Sequence, residues 1–409
     1  MTEEDVRQIA ARLGVADFVF TVPLVEEGSR TREVGDALLI ANGLGAVIQV
    51  KSRDREATGN AENWIKKHAE RAARQGSGSV AEIMRRQEAG APLVAFPVRA
   101  TDLPPAQRAA TGLALDQDVR KWPTIVVIDH PSAVGVVPPV GNRVFWITLD
   151  DWLELNRAIR STTGVLRYVG RILDHGDLLD VPLGHELERF KAVVEADMLF
   201  AQEGTESSRP WLSFDAREDP FGAELFRRLL DGVWPEGHPL PEVSIDDVRR
   251  VLEFLDATPP GVQVRVGRWI LSKRNQSAST GKWSSGAVLL DKERLVVFAA
   301  DVASSHDRLA EFDAELAAMG ALRAGEASEQ LGYTVQTLAI GHLVDEDGID
   351  YRYIYTPEPL DLPDDIKRPL LHRRGTFDLG SRHVTALKAP PDSPCPCGSG
   401  LRFSKCDGG

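Results

Sequence analysis

Cys395, Cys397 and Cys406 are the whole cysteine complement of a 409-residue chain, and all three fall in its last fifteen residues. A chain that avoids cysteine elsewhere and gathers its thiols here points to metal ligation rather than packing or disulfides. One residue separates Cys395 from Cys397, and eight lie between Cys397 and Cys406. Gly398, Ser399 and Gly400 let so short a backbone turn tightly enough to bring three thiolates round one ion. Zinc suits soft thiolates and a small tetrahedral site. A segment of this length buries no core, so the metal would have to drive its folding.

The second chemical pattern lies near the other end, at Asp36, Gln49 and Lys51. Residues 36–40 and 46–50 read as strands, and Asn42-Gly43-Leu44-Gly45 between them favours a tight hairpin turn. Gln49 and Lys51 are two apart and share one face of a strand. A hairpin returns them beside Asp36. A carboxylate, a second oxygen ligand and an ammonium at one point can hold a divalent cation and orient water, which is the equipment of metal-assisted phosphodiester hydrolysis. The following segment is basic within an acidic protein. Lys66, Lys67, Arg71 and Arg74 lie on it, with His68 among them and Arg53 and Arg55 just before. Such a patch can grip a phosphate backbone of DNA or RNA, although a solvated helix face accounts for such a run equally well.

The terminal stretch Cys395-Pro-Cys397-Gly-Ser-Gly, with its third cysteine at Cys406, resembles the SEC-C motif. That motif is the zinc-binding tail of the SecA preprotein translocase and is also fused to many unrelated bacterial proteins. The resemblance implies bound zinc and docking onto a protein or ribosomal partner. The motif's fourth ligand, Cys or His directly after the third Cys, is here Asp407. A carboxylate can ligate zinc, and water or His383 are the other candidates for that position. No phosphate-binding loop of the Gly-x-x-x-x-Gly-Lys-Ser/Thr type occurs, so the resemblance does not extend to the translocase ATPase.

Gly35-Asp36 followed by Gln49-Val50-Lys51 resembles the PD-(D/E)XK nuclease superfamily in its Mrr-like branch, where Gln-x-Lys replaces Glu-x-Lys. That resemblance implies a restriction-endonuclease-like sheet with flanking helices. It also implies Mg2+ or Mn2+ held by Asp36 and Gln49, and Lys51 positioning the attacking water and stabilising phosphate charge. Glu33, or an acid on the first helix such as Glu3 or Glu4, would be a further carboxylate. The alternative is a non-catalytic adaptor, with a structural hairpin and a docking tail.

These residues need elements to position them. Val6, Ile9, Ala10 and Leu13 predict an amphipathic helix over 3–13, and 61–74 predicts a second helix with Trp64, Ile65, His68 and Ala72 near one face. Strands are expected at 93–97, 124–128 and 144–147, then a helix with Asp150 or Asp151 as its N-cap. The turn residues Asp129-His130-Pro131 end the strand at 124–128. The order predicts a mixed α/β domain over 1–160, then a mainly helical connector over 161–255. A second α/β unit over 256–356 is expected, with strands at 262–272, 286–290, 295–299, 334–340 and 351–355 and a helix at 305–319. A Pro-rich linker over 357–394 and the zinc tail over 395–409 complete the reading.

The chain is 43% hydrophobic and 27% charged, with net charge −13. A nucleic-acid-coating surface is usually basic, so such contact must come from a local patch. No run reaches the roughly 18 apolar residues of a membrane span. The acidic N-terminus lacks the pattern of a signal peptide. No membrane and a cytoplasmic location are therefore expected, where thiols stay reduced.

Overall fold

The computed structural model describes residues 3–21, 25–27, 30–32, 34–53, 60–115, 119, 122–138, 144–174, 181–202, 216–233, 244–281, 283–291, 293–301, 309–345, 348–360, 362–363 and 366. The fold is mixed α/β, and the chain divides into two compact units at residues 195 and 196. Among the described residues no helix is long and apolar enough to cross a membrane.

The first unit begins with α1 (Glu3–Leu13), β1 (Val19–Thr21), the small pair β2 (Val25–Glu27) and β3 (Arg30–Arg32), and the hairpin β4 (Ala37–Ala41) and β5 (Leu44–Ser52). It continues through α2 (Ala61–Glu88), β6 (Val94–Pro97), α3 (Pro105–Ala110), β7 (Leu113–Ala114), β8 (Thr124–Asp129), β9 (Val144–Thr148), α4 (Leu149–Ile159) and α5 (Thr162–Asp174), and the division between the units falls within α6 (Glu186–Gln202). Seven strands form one sheet in the order β7-β6-β1-β4-β5-β8-β9. The β1, β4 and β5 strands run antiparallel in succession, and β8 and β9 then add parallel to β5.

The hairpin closes more tightly than residues 42–45 suggested. Ala41 pairs with Leu44, and Asn42 and Gly43 alone form the turn, with φ of 53° and 69°. Left-handed values at both positions give the turn whose twist matches that of the flanking strands, and Asn and Gly tolerate them best. Helix α2 packs on one face of the sheet. Its Ile83 lies with Leu38, Ile40 and Val47, and its Ile65 and Ala72 with Val126 and Ile128. The other face packs against α4 and α5, and α1 is tied to α4 by the Trp152 indole donating to the Val6 carbonyl at 3.3 Å.

Two local expectations are corrected here. The cap of α4 is Thr148, whose hydroxyl accepts from the Asp151 amide at 3.1 Å. Asp150 and Asp151 instead occupy the first turn, where carboxylates favour the positive end of the helix dipole. Helix α2 runs well past residue 74, through Gly76 and Gly78. Gly76 sits against Thr124 of β8 so closely that a Cβ would lie 2.2 Å from its methyl carbon. That glycine sets an approach distance rather than ending a helix.

The second unit contains α7 (Pro220–Asp231), α8 (Ile245–Asp256), α9 (Pro260–Thr280), β10 (Ser284–Leu289), β11 (Arg294–Asp301), α10 (Leu309–Leu331), β12 (Gln336–Asp345) and β13 (Gly348–Thr356). Its sheet has the order β10-β11-β12-β13, with β11 and β12 parallel across the α10 crossover and the outer pairs antiparallel. The α10 residues Phe312, Leu316 and Met319 cover one face. Helices α7, α8 and α9 meet the other through Tyr353 donating to Leu229, Phe254 against Tyr355, and Trp269 against Phe298.

The strand expected over 262–272 is helix α9. Val262, Val264 and Val266 alternate as a strand would. However, Pro260 at the first helical position starts a helix, and the buried residues Gln263, Gly267, Ile270 and Ser277 recur at three to seven residues. A Cβ on Gly267 would come within 2.2 Å of the Gly222 carbonyl oxygen of α7, a close helix–helix approach that a strand would not need.

Candidate nucleic-acid site at the carboxyl ends of the parallel strands

The alternation of β5 decides which way the candidate residues face. Val47 packs under α2, so Gln49 and Lys51, two and four residues on, lie on that same side. Leu38 and Ile40 of β4 face the same helix. Gln49 and Lys51 share that side of the sheet, and Asp36, in the bend just before β4, lies beside them through the Val50 amide, at the end where β5 and β8 finish. Gln49 is 4% exposed and Lys51 is half-buried.

Asp36 is also bound into the backbone. Its amide donates to the Ile48 carbonyl at 3.0 Å, its Oδ2 accepts from the Val50 amide at 2.6 Å, and its carbonyl accepts from Arg7 at 2.8 Å. The carboxylate replaces a ladder acceptor at the point where the β4–β5 pairing ends, and it rests on the amide between Gln49 and Lys51. Its other oxygen and the Gln49 amide oxygen are hard donors of the type magnesium takes, with water completing the shell. The donor set fits such an ion. Among the described residues no group of three or more His, Cys, Asp or Glu is placed to hold a metal.

Glu33 lies outside the described residues, as do Cys395, Cys397, Cys406, Asp407 and His383. Glu4 is engaged elsewhere. Hydrogen bonds from Gln8 and Arg7 hold its carboxyl below the usual range.

Around Lys51 stands a cluster that residue spacing did not assemble. The Trp64 indole of α2 stacks on His68 one turn later, centroids 4.4 Å apart at 22°, and lies 5.3 Å from the His130 ring. The Arg53 guanidinium is 5.8 Å from the Trp64 ring centre. His130 follows β8 directly, and its Nδ1 accepts from the Ser132 amide at 3.0 Å. The turn expected at 129–131 is present, closed by the Ala133 amide on the His130 carbonyl. The turn also carries its imidazole into the cluster. Trp64, His68 and His130 are each half-buried. Desolvation lowers the pKa of both imidazoles. The charges of Lys67, Arg71, Lys51 and Arg53 add to this at His68, and that of Arg53 at His130, where Asp129 opposes it. Both shifts favour the uncharged ring.

Of the basic residues singled out on α2, Lys66, Lys67, Arg71 and Arg74 are all exposed. Lys66 pairs with Glu62 at 2.7 Å. A separate groove is lined by Asn60, Glu62, Lys66, Ser132, Val134 and Val137.

No protein-family model, curated protein or solved structure matches this chain. Its function is therefore argued from the site itself. The helix–hairpin–helix–strand order places acid, amide and ammonium groups where two parallel strands end, a common place for ligands in α/β sheets.

Proposed function

We propose that the first unit is a magnesium- or manganese-dependent phosphodiesterase acting on nucleic acid, and that the terminal cysteines form a zinc-binding docking tail. The observation that supports the first part is the Asp36 carboxylate held on the amide between Gln49 and Lys51, near exposed basic residues of α2. Asp36 and Gln49 would hold the metal, which when bound would polarise a phosphate oxygen and lower the pKa of water. Lys51 would orient the attacking water and balance charge gathering on the phosphoryl oxygens. Lys67 and Arg71 would hold the backbone on either side of the scissile bond. A zinc tail of Cys395, Cys397 and Cys406, with Asp407 as fourth ligand, rests on the SEC-C resemblance and would bind a protein or ribosomal partner. A cytoplasmic location agrees with such a thiolate site.

The test is cleavage of plasmid and single-stranded DNA with Mg2+ or Mn2+, comparing the wild-type chain with Lys51→Ala. The variant is expected to lose at least about a hundredfold in rate. Equal cleavage by both proteins removes Lys51 from the mechanism and overturns the reading.

One observation favours a second reading, the non-catalytic adaptor. The Asp36 carboxylate already caps the Val50 amide, a structural role that explains its presence without catalysis. Absence of cleavage by the wild type, together with partner capture that depends on the tail, would support that reading.

A further inference from the structure

The aromatic cluster beside Lys51 has no part in metal-assisted hydrolysis. Phosphate oxygens take cations and hydrogen-bond donors rather than ring faces. Trp64, His68 and His130 instead bring three half-buried flat rings together, with both imidazoles within 5.3 Å of the indole. Desolvation shifts both imidazoles toward the neutral form, which adds ring faces with less positive charge. Arg53 beside the indole adds a planar cation that also stacks on bases. Flat rings beside a planar cation are what an unpaired strand meets, because its bases can leave the stack and lie on side chains. A duplex keeps its bases inside and could offer this cluster only its phosphates.

We propose that the Trp64–His68–His130 stack is a base-stacking platform, so that the substrate at this site is single-stranded nucleic acid. The proposal rests on the nucleic-acid reading of the same site and adds strandedness to it.

The test uses the full-length protein in chelator at fixed low salt, so that binding is read without cleavage. Fluorescence anisotropy compares an oligothymidylate of about fifteen nucleotides, an abasic strand of equal length and charge, and a duplex of equal length. The wild type is expected to bind the oligothymidylate roughly tenfold more tightly than the abasic strand and the duplex. Trp64→Leu should bring the oligothymidylate down to the abasic level and leave abasic binding unchanged, while Trp64→Phe should keep most of the preference. Equal wild-type affinity for the three ligands, no binding to any of them, or a folded Trp64→Leu that binds oligothymidylate like the wild type overturns the proposal. Should Trp64→Leu fail to fold, the three-ligand comparison on the wild type still decides, with His130→Ala as the second probe.

The two readings fail separately. Base-dependent binding without metal-dependent cleavage sinks the phosphodiesterase and leaves the platform. Cleavage without any base preference does the reverse.

Discussion

Asp36 is asked to serve two roles, and two replacements separate them. Its Oδ2 satisfies the Val50 amide at 2.6 Å, so Asp36→Ala leaves a donor at a strand end without its partner. That change is expected to cost about 1–3 kcal/mol, read as a lower urea midpoint. Asp36→Asn keeps an acceptor oxygen and should fold with near wild-type stability, yet lose metal-dependent cleavage because the negative charge is gone. A variant with wild-type cleavage would dismiss Asp36 as a metal ligand. In the second unit His342 is 2% exposed, and neither ring nitrogen has a hydrogen-bond partner among the described residues. Burial, helped by the Arg274 charge, lowers its pKa from 6.5 to about 4. Between those values the unfolded chain binds the extra proton, so stability is complete above the unfolded pKa and falls as pH drops toward 4. The loss should be on the order of 3 kcal/mol. Denaturant melts at several pH values are expected to show a flatter acid limb for His342→Phe, and an unchanged limb would exclude this group.

At the scale of elements, two helical glycines make opposite predictions. Alanine favours a helix over glycine by roughly 0.5–1 kcal/mol when space allows. Gly325 in α10 has nothing within 4 Å of where a Cβ would sit, so Gly325→Ala should raise the melting temperature by that contribution. Gly76 in α2 would drive its Cβ into Thr124, so Gly76→Ala should destabilise by about 1–3 kcal/mol despite its better propensity. The same change would push α2 from the sheet and loosen the seat of Trp64 and His68 beside Lys51. A stabilised Gly76→Ala would mean that the helix does not approach β8 as described. The β4–β5 hairpin is the contrasting case. Its turn type follows from Asn42-Gly43 alone, and the alternation of β5 alone puts Gln49 and Lys51 on one side.

For the whole molecule, the net charge of −13 means that the proposed nucleic-acid contact would have to come from the local basic residues of α2. The tail is a separable question. If Cys395, Cys397 and Cys406 bind zinc, elemental analysis after chelator-free purification should find about one zinc per chain, falling to near zero when the chain is ended before Cys395. Less than roughly 0.2 zinc in the full-length protein would reject the zinc tail. Both α/β units should keep their melting transitions in the shortened chain, because each sheet is covered by helices of its own unit.

The sequence by itself determined what depends on near neighbours along the chain. That includes the Asn42-Gly43 turn, the shared side of Gln49 and Lys51, the α/β class of both units, and the clustering of the cysteines. Tertiary structure decided whatever depends on distant partners. Alternating valines in 262–272 look like a strand until Gly267 must approach Gly222. Gly76 looks like a helix end until Thr124 lies beneath it. Spacing puts Trp64 and His68 on one helix face, but nothing in it brings Arg53 and His130 to them. They meet because β5 and β8 end side by side under the first turns of α2. Periodicity records which face a residue presents, whereas register and helix seating, set by packing across the sheet, determine which residues meet there.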